Sequence, residues 1–147
     1  MERRRASKEV DEEVDQSVLD FGTTIHALLE HMDLESDDLS YIKDSRMRKY
    51  VQNVKESWLL KDVKNDDVRH EFSFYDEING TSGYIDLLIL RDNVVDIVDF
   101  KLKNIDDVEY DKQLRTYKEY LKTITNKKIR MFLLSAITGE VREVQDE

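Results

Sequence analysis

Gly83-Tyr84-Ile85-Asp86 and Val95-Asp96-Ile97-Val98-Asp99-Phe100-Lys101 are two strand-like runs that each carry an acid, and the second ends in Asp-x-Lys. An acid set among valines and isoleucines is costly to bury unless it is paired or metal-bound. Side chains alternate along a strand, so Asp99 and Lys101 share a face and Asp96 points to the other. Asp86 lies on the preceding strand, joined by a short hairpin, and can sit beside Asp99. Two ionised carboxylates that close repel each other. A hard divalent cation removes the repulsion, and Lys101 moderates it. A structural ion pair between Lys101 and either acid is the alternative reading, because short Asp-x-Lys matches are common.

The elements around these runs follow from periodicity. Val14, Val18, Leu19, Ile25, Leu28, Leu29 and Met32 recur at helical spacing. Gly22-Thr23-Thr24 marks a kink or a fresh helix start. After a polar connection over 33–40, a second helix is expected over 41–60, with Ile42, Met47, Val51, Val54 and Trp58 as its apolar stripe. A charged loop over 61–67 precedes a change to period two. Strands are expected over 68–75, with Phe72 and Phe74 on one face, then over 84–91 and 94–101. Asn79-Gly80 and Asp92-Asn93 are the turns between them. A helix over 106–122 has Val108, Leu114, Tyr117 and Leu121 as core candidates. Strands over 129–136 and 141–144 complete the chain. The order predicts an α/β fold: a central mixed sheet, flanked by helices, made of a three-strand meander, a helix and one or two further strands.

At 147 residues the chain reads as one domain, residues 1–147, with a helical segment over about 8–62 and a sheet-and-helix core over about 68–145. No apolar run approaches bilayer length and no signal-peptide core is seen, so no membrane partner is expected. The absence of cysteine excludes disulfides and an iron–sulfur cluster and is compatible with the cytoplasm. No phosphate-binding Gly-x-x-x-x-Gly-Lys loop is present, so no ATP site is expected in this chain. The net charge of −10 opposes a general nucleic-acid-binding surface. Basic residues nevertheless cluster at Arg46, Arg48 and Lys49, at Lys101, Lys103, Lys112 and Arg115, and at Lys127, Lys128 and Arg130, which leaves room for a local basic groove.

Five short motifs in order resemble the PD-(D/E)XK nuclease superfamily, and within it the nuclease domains of RecB- and AddA-type helicase–nucleases. They are Gly22-x-x-x-His26, Glu71 on the first strand, Gly83-x-x-Asp86, Asp99-Phe100-Lys101 and Gln113-x-x-x-Tyr117. Each is weak alone; the order, over about 21–144, is specific. The resemblance implies the restriction-endonuclease-like core. It implies His26, Asp86, Asp99 and the Phe100 carbonyl as ligands of Mg²⁺, with Mn²⁺ as a substitute. Lys101 would position water or stabilise the phosphorane-like charge, and Gln113 would order the site. Tyr117, Tyr110, Lys103 and Arg115 are candidate DNA contacts, and Glu71 a candidate that reaches the metal through water or DNA. Leu102 stands where the family commonly has threonine.

The resemblance therefore implies a metal-dependent deoxyribonuclease, exonuclease rather than endonuclease. It would act in DNA end processing, recombination and repair, as the nuclease module of an ATP-dependent helicase–nuclease. Its partners would be DNA ends and a helicase domain or subunit. A catalytically degenerate binding module of the same fold and a restriction-type endonuclease are the rival readings.

Overall fold

The structure, a computed structural model, describes residues 9–146, with side chains of the first helix described from Asp20 onward. The elements are α1 (Glu9–Glu30), α2 (Ser45–Glu56), a 3₁₀ turn (Asn65–Asp67), β1 (Val68–Asp76), β2 (Thr81–Leu90), β3 (Val94–Lys101), α3 (Val108–Leu121), β4 (Lys128–Ser135) and β5 (Val141–Val144). The strands form one sheet in the order β1-β2-β3-β4-β5. Only β3 and β4 pair in parallel, and α3 is the crossover between them. The expected mixed sheet with its meander, helix and two further strands is the fold observed.

Helices cover both faces of the sheet. Ile25, Leu29, Val51 and Val54 from α1 and α2 pack on Leu87, Ile89, Val98 and Phe100. On the opposite face, Leu114 and Leu121 of α3 pack on Leu88, Ile97, Met131 and Leu133. Burying each such side chain stabilises the fold by roughly 1.5–3 kcal/mol before entropy is counted.

Capping chemistry decided several boundaries that periodicity placed elsewhere. α2 starts at Ser45 rather than 41 because the Asp44 carboxylate accepts from the Arg46 and Met47 amides. It ends at Glu56, so Trp58 leaves the expected apolar stripe and is 62% exposed in the following turn, edge-on to Phe132. Val108, expected in the core, opens α3 on the solvent side, 64% exposed. α1 passes through Gly22 without a break. The expected packing of Val14, Val18 and Leu19 lies outside the described side chains.

The feature that builds the site is a break in strand alternation. Strict alternation would put Val68, Phe72 and Phe74 on one face, and Ile85, Leu87 and Ile89 on one face. Instead Val68, Leu87 and Ile89 pack under α1 and α2, while Phe72, Phe74 and Ile85 pack under α3. Both strands change face at the same level, where Glu71 has a φ of 54° and the β1–β2 ladder steps from His70–Leu87 to Phe72–Ile85. Asp86 sits opposite that kink.

Candidate metal centre

Asp86 is placed where β2 and β3 part. Their ladder ends at Leu87–Val98, and the Asp86 Oδ2 accepts the Phe100 amide at 2.9 Å in place of a strand carbonyl. The same oxygen lies 3.5 Å from His26 Nε2 on α1. This hydrogen bond, with the charge of Asp99 and Glu30 behind it, holds the His26 imidazolium pKa above its ordinary 6.5 against the opposing effect of burial.

Asp99 is 6% exposed. Burial, and next the neighbouring Asp86 carboxylate, push its pKa up to about 6, against the pull of Lys101. The Lys101 Nζ is 2.9 Å from Asp99 Oδ2 and 4.1 Å from the Tyr110 ring centroid. Lys101 is thus the cation paired with this buried oxygen. A buried carboxylate whose charge burial disfavours, a second acid beside it and a histidine nitrogen are the donors a hard or borderline divalent cation takes. The residues fit such an ion.

Asp96 is on the other face, as alternation requires. It is fully buried and neutralised by Arg91 Nε at 2.8 Å and Arg130 Nε at 2.7 Å. It is a structural acid, and it absorbs one member of the basic clusters.

Of the other expected site residues, some meet the centre and others do not. Gln113 is exposed, one turn before Tyr117 on α3, and its nearness opposes the rise of the Tyr117 hydroxyl pKa. Tyr117 itself is 6% exposed, edge-on to Phe74. Its ring packs in the core, where its place in the apolar repeat of α3 puts it. Burial raises its hydroxyl pKa, with Asp99 and Asp86 adding to the rise. Tyr110 stacks on Lys101, so one face of its ring is already occupied. Arg115 donates twice to the Gln145 carbonyl, at 3.1 and 3.0 Å, which ties it to the segment after β5 rather than to the centre. Lys103 is exposed.

Gly83 has a steric role in this arrangement. A Cβ there would fall 2.4 Å from Phe74 and 2.7 Å from Tyr117. Only glycine lets these rings lie across β2 beside the carboxylates.

One group was not foreseen. The Tyr84 hydroxyl lies 3.0 Å from Glu30 Oε2 and 2.9 Å from Glu71 Oε1. Burial, then the two glutamates, raise its pKa. His31 Nε2 is 3.6 Å from Glu71 Oε2, and Glu30, His31 and Glu71 offer ligand atoms within 4.8 Å of one another. Glu71 thus joins a neighbouring acidic group next to Asp86. Glu30, one turn after His26 on α1, accepts from the Tyr84 hydroxyl and adds its charge beside His26. The available signal was the spacing of Glu30 one turn after His26. A cleft of about 610 Å³ runs along this wall, lined by Gly22, Thr23, His26, Glu30, Tyr84, Asp86 and Leu102.

The family model of the PD-(D/E)XK nuclease superfamily matches residues 1–146, and the chain belongs to that superfamily. No curated protein matches it.

Proposed function

We propose that this member of the PD-(D/E)XK nuclease superfamily is a metal-dependent deoxyribonuclease. Its ion would be held by His26, Asp86, Asp99 and the Phe100 carbonyl. The observation that carries the reading is the convergence of two buried carboxylates, Asp86 and Asp99, with His26 on one and Lys101 on the other. A divalent cation bound there would neutralise phosphate charge and lower the pKa of water.

The chain's own groups have assigned parts. Asp86 fixes the Phe100 backbone through its amide hydrogen bond and so orients the carbonyl of the same residue. His26 must be neutral to act as a ligand and therefore gives up the proton that Asp86 favours. Lys101, held between Asp99 and Tyr110, carries positive charge at the centre. It would orient the attacking water and offset the charge that builds on the phosphate oxygens. Gln113, one turn before Tyr117 on the same side of α3, would order the site.

The finer reading is a nuclease module of an ATP-dependent helicase–nuclease, exonucleolytic, acting on DNA ends in recombination and repair. It is supported by the order of Gly22-x-x-x-His26, Gly83-x-x-Asp86, Asp99-Phe100-Lys101 and Gln113-x-x-x-Tyr117 and by the lack of a phosphate-binding loop in the sequence. The test is cleavage of linear single- and double-stranded DNA with Mg²⁺ or Mn²⁺, native against Lys101→Ala, with closed circular DNA as a further substrate. Metal-dependent loss of linear DNA that Lys101→Ala removes is expected. Equal cutting by the variant, or no cutting and no metal binding, would refute the assignment. Equal cutting of circular DNA would refute the exonuclease reading.

A further inference from the structure

The net charge of −10 makes it informative to ask which cations are not already spent inside the fold. Arg48 donates to the Ile42 carbonyl, Arg91 and Arg130 to Asp96, Arg142 to Asp111, and Lys118 to Asp146. Lys43, Arg46 and Lys49 differ. All three are exposed, and none of their side chains meets an acceptor among the described residues. They are spaced three apart, from just ahead of the α2 cap along one side of its first turns. Asp44, the acid among them, spends its Oδ1 on the Arg46 and Met47 amides.

This row adjoins the candidate centre. The Arg46 guanidinium lies over the Phe21 ring of α1, 4.8 Å from its centroid, and Phe21 is edge-on to Tyr50 of α2 at 6.1 Å. The next residue, Gly22, lines the cleft that holds His26 and Asp86. Leu102 lines the same cleft, and exposed Lys103 follows it.

We propose that Lys43, Arg46 and Lys49 form a track for the sugar-phosphate backbone of the DNA substrate, leading over Phe21 to the Asp86–Asp99 centre. The inference rests on the nuclease reading and adds to it the path by which the substrate is held. Charge complementarity selects the occupant. Three cations with no carboxylate partner among the described residues, on an otherwise acidic chain and continuous with the cleft, match a chain of phosphates. The Phe21 stack restrains Arg46 before binding, so less side-chain entropy is lost when phosphate arrives. Each phosphate neutralised releases counterions and steepens the salt dependence of binding by about 0.7 for single strands and about 0.9 for duplex.

The experiment measures binding of a labelled oligonucleotide, single- and double-stranded, between about 50 and 200 mM salt. Ca²⁺ replaces Mg²⁺ so that the probe survives. The native chain is compared with Lys43→Gln/Arg46→Gln/Lys49→Gln and with Lys61→Gln/Lys64→Gln/Lys128→Gln. The second triple removes the same charge past α2 and beside Asn93 at the other end of the sheet. Lys43→Gln/Lys49→Gln, which leaves the Arg46–Phe21 stack intact, guards against a folding effect. The row variant is expected to bind at least about tenfold more weakly and to lower the log–log salt slope by about 2–3. The double variant should lower it by about 1–2, and the control triple should match the native chain. An unchanged row variant, as an acidic protein partner for this row would give, overturns the track. An equal loss in the control triple does so too. If the native chain cleaves DNA with Mg²⁺ in those cases, the nuclease reading stands without the track. A native chain that neither binds nor cleaves DNA removes both.

Discussion

Replacing Asp99 with asparagine should make the metal-free protein more stable while abolishing its metal response. In the native chain Asp99 is 6% exposed, and burial beside Asp86 raises its pKa from 3.8 to about 6. That is roughly two pKa units, or about 3 kcal/mol, by which folding disfavours the ionised form. The opposing attraction of Lys101 is already contained in the value of about 6. The raised pKa sets the sign. Below pH 3.8 the carboxyl is protonated in both states and costs nothing. As pH rises through about 6, the folded state must ionise a group it holds poorly, and stability is lost. The asparagine side chain has no charge to lose. At about pH 7.5 with EDTA, Asp99→Asn should therefore gain about 1–3 kcal/mol, with about 3 kcal/mol as the upper bound. The melting temperature should rise by about 3–10 °C. At about pH 4 the two melting curves should approach each other. Added Mn²⁺ should stabilise the native chain by about 2.7 kcal/mol at about one hundred times Kd and leave the variant unmoved. Thermal denaturation across pH, with and without metal, reads all of this. A variant less stable than native near neutral pH in EDTA, or an offset that does not change with pH, would refute the electrostatic reasoning.

Three further outcomes are expected. Asp96→Ala should destabilise the fold by about 2–3 kcal/mol in urea denaturation. That is below the roughly 3–5 kcal/mol of a fully buried pair, because Arg91 and Arg130 remain 38% and 32% exposed. Cleavage per folded molecule should be retained, and its loss would place Asp96 in the site. Gly83→Ala should cost about 1–3 kcal/mol and disturb the Tyr117 ring, because the new Cβ would overlap Phe74 and Tyr117; an unchanged melting temperature would count against the close approach. Calorimetric Mn²⁺ affinity of the native chain should fall as pH drops through the raised His26 pKa and through about 6 at Asp99, by up to about a hundredfold per pH unit. In His26→Gln the dependence should shrink to about tenfold per unit, and an unaltered profile would remove His26 from the ligand set.

The fold was largely legible because its strongest signals are periodic. β3 and β5 begin and end where alternation and turn residues place them, and α3 follows from its apolar repeat. What escaped the sequence is set by chemistry that periodicity does not carry. The start of α2 depends on one carboxylate, Asp44, accepting two amides, and its end at Glu56 leaves Trp58 outside the stripe, in solvent. The core place of Tyr117 was legible in the apolar repeat of α3; what the repeat does not carry is Gly83, whose lack of a side chain leaves room for the Tyr117 ring against Phe74.

The pairing of Asp86 with the Asp99 side was inferred from a flat hairpin with unbroken alternation, whereas the actual β2 is not unbroken. Below the kink, Tyr84 turns toward Glu30 on α1 and Ile85 toward α3; above it, Leu87 turns toward α1 and α2, and Leu88 toward α3. Asp86 occupies the residue at which the two patterns meet. That position lets one carboxylate face His26 on one side of the sheet and still press on Asp99, whose partners lie on the other. A regular strand could give Asp86 one of these neighbours but not both. The kink at Glu71, with its φ of 54°, is thus the physical reason that donors from two layers converge, and it is invisible to any pattern that assumes period two.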